Sequence, residues 1–192
     1  MSSCSHNRTK ELASVDTLRG MSRFTRRHFV AALAAAPVLA RARSTEPRVL
    51  AFSHLHTGER LEVEYFSAGS YLPDALDEVN RLLRDFRTGD VGAMDPALLD
   101  LLHALRTRTG SRKPYEIISG YRSPATNRML HERSSGVATK SLHMSGQAID
   151  IRVADVPLAG LREAALSLQR GGVGYYPGSN FVHVDTGRVR AW

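Results

Sequence analysis

Apolar positions recur along the chain with two periods, and the switches between them mark short elements. Arg48 to His54 and Leu61 to Phe66 are strand-like runs flanking Thr57-Gly58, which predicts a hairpin. From Asp74 to Phe86, residues Leu76, Val79, Leu82, Leu83 and Phe86 fall at a helical spacing. Asp95-Pro96 is a cap followed by proline at the first helical position, and the helix it opens buries Leu98, Leu99, Leu102 and Leu105. Tyr115 to Ser119 reads as a strand. Ser123-Pro124 repeats the cap-then-proline signal and starts a short helix to about Glu132. Ser134 to Leu142 is polar and reads as a loop. Gln147 to Val153 alternates as a strand, and Pro157 to Gln169 is a helix closed by Gly171-Gly172. Val173 to Tyr176 pairs with Phe181 to Asp185 across Pro177-Gly178-Ser179-Asn180. Helices lead and strands dominate the second half, an α+β pattern. It predicts one domain with a mainly antiparallel sheet and helices on one face.

The N-terminal part has a different character. The basic stretch Arg23 to Arg27 precedes an Ala-rich apolar run, Phe29 to Ala40, that is too short to span a bilayer. Ala40-Arg41-Ala42 is a small-x-small cleavage pattern, so residues 1–42 read as a signal peptide. Arg26-Arg27, with Phe29 two positions on, resembles a twin-arginine export signal, which addresses the chain to the periplasm and does not anchor it. Met21 begins a well-formed leader by itself, which raises the expectation that residues 1–20 are an over-extended translation start. Cys4, the single cysteine, lies before the apolar run, so residues 43–192 hold no thiol and no disulfide.

Charge changes meaning once the leader is set apart. The 192 residues carry 26 Lys+Arg and 19 Asp+Glu, a net charge of +7. Seven of the basic and two of the acidic residues lie in residues 1–42, so residues 43–192 are nearly neutral. No basic helix, zinc-finger spacing or aromatic-basic interleaving supports nucleic-acid binding.

The informative segments are Ser141 to Asp150 (SLHMSGQAID) and Phe181 to Asp185 (FVHVD). In a strand, Ile149, Ile151 and Val153 share one face and Asp150 the other. Val182 and Val184 likewise oppose Phe181, His183 and Asp185. With the aliphatic sides in the core, Asp150 and His183 face one open cleft on the sheet, and His143 arrives from the preceding loop past Gly146. Two imidazoles and a carboxylate suffice for a catalytic zinc with one open position. Spacing alone is weak evidence, since each of these residues also suits an ordinary surface or capping role. His54, His56, His103 and His131 have no comparable partners.

The run SGYRSPATN, Ser119 to Asn127, followed by SLHMSGQAID and FVHVD, resembles the M15-type zinc peptidases of peptidoglycan. These are D-alanyl-D-alanine carboxypeptidases and murein endopeptidases with a His–Asp–His site. The likeness is greatest to the twin-arginine-exported murein endopeptidase K subgroup, and it covers Arg48 to Trp192. The resemblance implies zinc held by His143, Asp150 and His183, hydrolysis of stem-peptide or cross-link amides by a metal-activated water, and a substrate carboxylate bound by Arg122. Tyr121 either lines the same cleft or packs, and Ser141 and Gln147 either hydrogen-bond substrate or support the ligands from behind. Tyr175 and Tyr176 read as strand packing.

One departure bears on the base. Many family carboxypeptidases carry an acid three positions before the last histidine ligand, and here that position is Asn180. Asp185 then has two readings: the base itself, or a partner that holds a ligand's ring N–H. A wall-binding module without turnover and a carboxypeptidase of the same family stand as alternatives to the endopeptidase.

Overall fold

The computed structural model describes residues 45–134 and 136–192. The expected leader, residues 1–42, lies outside the described residues. Among the latter, no helix is long and apolar enough to cross a membrane.

Strands β1 (Arg48–His54) and β2 (Arg60–Ser67) form the expected hairpin, and β3 (Ser70–Tyr71) adds a short edge beside β2. Helices α1 (Pro73–Leu82) and α2 (Pro96–Thr109) follow. The α2 cap is the one expected: the Asp95 side chain accepts from the Ala97 N–H, and Gly110 closes the helix in the left-handed region. Next come β4 (Tyr115–Ser119), α3 (Pro124–Arg133), a single 3-10 turn at Leu142–Ser145, and β5 (Ala148–Val153). Helix α4 (Leu158–Leu168), β6 (Gly172–Tyr176), β7 (Phe181–Asp185) and β8 (Arg190–Ala191) complete the chain. The sheet order is β3-β2-β1-β4-β5-β7-β6-β8. Only β1 with β4 and β6 with β8 run parallel; the other pairings are antiparallel.

Two boundaries differ from the sequence expectation. Helix α1 stops at Leu82, so Phe86 lies beyond it. The Leu83 carbonyl accepts from the Tyr121 N–H at 2.7 Å, and Asp85 accepts from the Ser123 N–H at 2.9 Å. The segment after α1 thus braces the turn that leaves β4, a long-range demand that helical periodicity does not carry. Helix α4 is capped in the left-handed region by Gln169 (φ 52°) rather than by the following glycines.

Leu98, Leu99, Leu102 and Leu105 of α2 and Leu161 of α4 are buried against Ile149, Ile151, Val182 and Val184 of the central strands. Each such side chain contributes about 1.5–3 kcal/mol by leaving water. Helix α3 gives no side chain to this core; its buried residues are the polar Thr126 and Asn127. Asn127 instead ties α3 to the loop after it, donating to the Ala138 and Thr139 carbonyls at 3.2 Å each.

Candidate active site

Three neighbouring elements bring the donor atoms together. Asp150 of β5 and His183 of β7 are directly paired across the sheet, so strand register alone places their side chains side by side. His143 comes from the 3-10 turn before β5. That turn is capped by Ser141, whose hydroxyl accepts from the His143 N–H at 3.4 Å. It ends at Gly146 (φ 66°), where a β-carbon would lie 2.0 Å from the Ala93 carbonyl oxygen. Only glycine allows both this backbone angle and this approach.

All three residues are buried, at 3% exposure for His143, 6% for Asp150 and 9% for His183. His143 Nε2 lies 3.2 Å from His183 Nδ1 and 3.3 Å from Asp150 Oδ1, and the latter two atoms are 2.8 Å apart. The outer nitrogens are occupied elsewhere. His143 Nδ1–H donates to the Gly120 carbonyl at 2.8 Å. His183 Nε2–H donates to Asp185 Oδ2 at 3.1 Å. With each outer nitrogen acting as donor, the inner nitrogen of a neutral ring presents a lone pair. Two lone pairs and a carboxylate oxygen then converge, and only a cation or a shared proton relieves them. Donors about 2.0–2.1 Å from a tetrahedral zinc would sit roughly 3.3 Å apart; both separations from His143 match this, and the 2.8 Å between His183 and Asp150 is a hydrogen-bond distance that an ion would open slightly.

The electrostatics agree. Burial alone would lower the His183 pKa, but hydrogen bonds to Asp150 and Asp185 outweigh it and raise the pKa to about 8. Burial alone would raise the Asp150 pKa, but His143 and His183 hold its carboxyl well below the usual range.

Asp185 is completely buried. Besides His183 it accepts from the Gly172 N–H (2.9 Å), the Gly187 N–H (2.8 Å) and two nitrogens of Arg190 (3.0 and 2.7 Å). These partners overcome the effect of burial and keep it ionised. Sequence reasoning missed Arg190, because nothing in the local pattern shows that β8 returns beside β6 to reach this carboxylate.

A cleft of about 500 Å³ opens over the trio. Arg122, Lys140, Ser141, Tyr176, Phe181 and Trp192 are among its lining residues, and Asp150 is the one acid there among the described residues. Arg122 is largely buried. Its nearest polar neighbours are Asn127 Oδ1 at 3.5 Å and Asp150 Oδ2 at 3.8 Å, and its Nε has no partner.

Other sequence candidates lie elsewhere. The Tyr121 ring packs against Gly92 and the apolar core and does not line the cleft. Gln147 accepts from the Ser145 hydroxyl at 2.9 Å and is likewise absent from the lining. Asp185, the candidate base, is sealed beneath His183 rather than open to the cleft. Asn180 borders a separate recess with Glu116 and Arg152.

The family model described as peptidoglycan L,D-endopeptidase MepK matches residues 42–192. The chain belongs to this family. Among curated relatives, the peptidoglycan L,D-endopeptidase MepK of Escherichia coli K12 is 46% identical over 162 residues, which cover 84% of this chain and 89% of that protein. The probable peptidoglycan L,D-endopeptidase MepK of Haemophilus influenzae is 47% identical over 156 residues, 81% of this chain and 84% of the relative. The solved L-Ala D-Glu endopeptidase ChiX of Serratia marcescens is 21% identical and covers 50% of this chain and 69% of its own, with a TM-score of 0.33, too slight a likeness to bear on the fold. The MepK-family match includes every member of the donor trio and both flanks of its cleft.

Proposed function

We propose that this chain is a zinc-dependent murein endopeptidase of the periplasm that hydrolyses amide bonds in peptidoglycan stem peptides or cross-links. The observation that carries this reading is the convergence of His143 Nε2, Asp150 Oδ1 and His183 Nδ1 at the floor of an open cleft, in a chain of the MepK family. Zinc suits two imidazoles and one carboxylate better than the harder magnesium or calcium ions do. When bound, such an ion supplies a Lewis acid and an acidified water.

The chain's own residues do the rest. His143, Asp150 and His183 hold the ion. Gly120 and Asp185 fix the two rings through their outer N–H groups, so each keeps one nitrogen turned inward. Arg122, buried and short of partners, receives a substrate carboxylate. Ser141 holds the turn that carries His143 and also reaches the cleft. The twin-arginine leader is proposed as the route of export.

A second reading rests on a specific observation: no acid other than Asp150 lines the cleft among the described residues. A cleft without a separate base suits a module that binds the cell wall without turnover. Incubating the purified protein with cross-linked muropeptides, with chelator and after zinc re-addition, separates the two. Hydrolysis products by mass spectrometry that vanish with chelator and return with zinc are expected. Unchanged substrate throughout would reject the endopeptidase reading.

A further inference from the structure

The two flanks of the cleft differ in chemistry, and the sheet order is the cause. The turn after β4 brings Arg122 to one side of the trio, whereas β6 and β8 bring Tyr176 and Trp192 to the other. Trp192 is 48% exposed, and of the exposed large hydrophobic side chains among the described residues it is the one that lines the cleft.

Despite that exposure, Trp192 is firmly held. Its N–H donates to the Val173 carbonyl at 3.2 Å, and its carbonyl accepts from the Tyr175 N–H at 3.0 Å. Its indole N–H donates to the Tyr176 hydroxyl at 2.7 Å. The Arg190 guanidinium sits 4.8 Å from its ring, and the His183 ring centroid is 5.3 Å away. The β6 residue paired with His183 is Gly174, where a β-carbon would come within 2.8 Å of the indole. The missing side chain makes room for the ring. Tyr176 and Phe181 stack at 4.6 Å and extend the same aromatic wall. A rigid aromatic surface half open to water loses little conformational entropy when it makes a contact.

We propose that Trp192 is a specificity-determining residue, a platform for the aliphatic side chain of the substrate residue beside the scissile amide. The proposal rests on the peptidase reading above. Distance selects the neighbouring residue: successive Cα atoms of a peptide lie about 3.8 Å apart. A surface 5.3 Å from a donor's ring therefore serves the position next to the cleaved bond and not a distant glycan. Arg122, on the flank away from the indole, suits a carboxylate, which leaves the apolar stem to the indole.

The test compares two synthetic stem-peptide substrates that differ only beside the scissile amide, one with a multi-methylene side chain and one with a methyl group. Wild type should prefer the long chain by about tenfold or more in kcat/KM. Trp192→Ala should abolish that preference, mainly through KM, and Trp192→Phe, which keeps an aromatic face, should retain most of it. Because the preference is a ratio, it does not depend on the fraction of a variant that is folded or metal-loaded. Preference intact in Trp192→Ala, or lost in Trp192→Phe, would overturn the proposal, as would equal turnover of the two substrates by wild type. If wild type cleaves neither substrate, the peptidase reading fails along with it.

Discussion

His183 and Asp185 share one face of β7, and their side chains meet: Nε2 lies 3.1 Å from Oδ2. Alternation along the strand builds this pair into two adjacent turns of the pleat. With its outer N–H engaged, His183 can offer only Nδ1 to His143 and Asp150. Asp185 is in turn engaged by Arg190 and by the N–H groups of Gly172 and Gly187. A carboxylate so occupied is completely buried and does not line the cleft, and we propose that it orients His183 rather than acting as the base.

Asp185→Asn should therefore act first on the metal. Asparagine removes the charge that holds the His183 ring and leaves Arg190 without its ion pair. Metal affinity should fall by about 10–100-fold, read by competition with a chromogenic chelator. Stability should fall by about 2 kcal/mol in denaturant unfolding. Full metal affinity with turnover lost would instead return Asp185 to the role of base.

The shared face of Asp150 and His183 was legible in the sequence because strand alternation is strictly periodic, whereas His143, in a turn, was joined to them by the family resemblance. Ile149, Ile151, Val182 and Val184 demanded the core, which left Asp150 and His183 to share the other face. The hairpin and both cap-then-proline helix starts were legible for equally local reasons. Features that depend on distant contacts were not. The early end of α1 follows from the hydrogen bond between the Leu83 carbonyl and Tyr121. The seating of Arg190 on Asp185 needs β8 to lie beside β6. The sequence left Tyr121 open between lining the cleft and packing, and the ring packs over Gly92.

Gly146→Ala tests the turn between His143 and Asp150. The backbone there is left-handed, and a methyl group would collide with the Ala93 carbonyl. Backbone strain of roughly 1–2 kcal/mol and overpacking of about 1–3 kcal/mol should add to a loss of several kcal/mol. Because Asp95 N–H also donates to the Gly146 carbonyl, the disturbance should reach the α2 cap. Denaturant midpoints measure the loss, and a midpoint within error of wild type would show that the turn relaxes freely.

His54 gives a pH dependence away from the metal site. Its Nδ1 accepts from the N–H groups of His56 and Thr57, and its Nε2 is buried without a partner. Burial lowers its pKa below 6.5, with His56 and Arg84 acting in the same direction and Glu59 against them. The folded state thus holds a neutral ring. As pH falls through about 6.5, the unfolded chain takes up a proton that the folded chain accepts only at lower pH, so stability is lost toward acid. The Tm should decline from pH 7.5 to 5.5, and His54→Gln should make that decline shallower. His103, also lowered by burial, accounts for part of the remaining slope. Identical slopes in the two proteins would remove His54 from the account.

Arg122 is the residue whose surroundings most favour an incoming anion. Its Nε is buried with no partner, and its terminal nitrogens have only the long contacts to Asn127 and Asp150. Burial lowers its pKa, with the Asp150 charge opposing, and a carboxylate entering the cleft would complete its hydrogen bonding. Arg122→Lys keeps the charge but loses the planar fork that grips two oxygens. A charge-assisted hydrogen bond contributes about 1.5–3 kcal/mol, so kcat/KM should fall by roughly 10–100-fold on a substrate with a carboxylate near the scissile amide. An otherwise identical substrate with that carboxylate amidated should be a poor substrate for wild type, and the variant should lose little more on it. Equal losses on both substrates would mean that Arg122 supports the fold of the cleft and does not recognise the carboxylate.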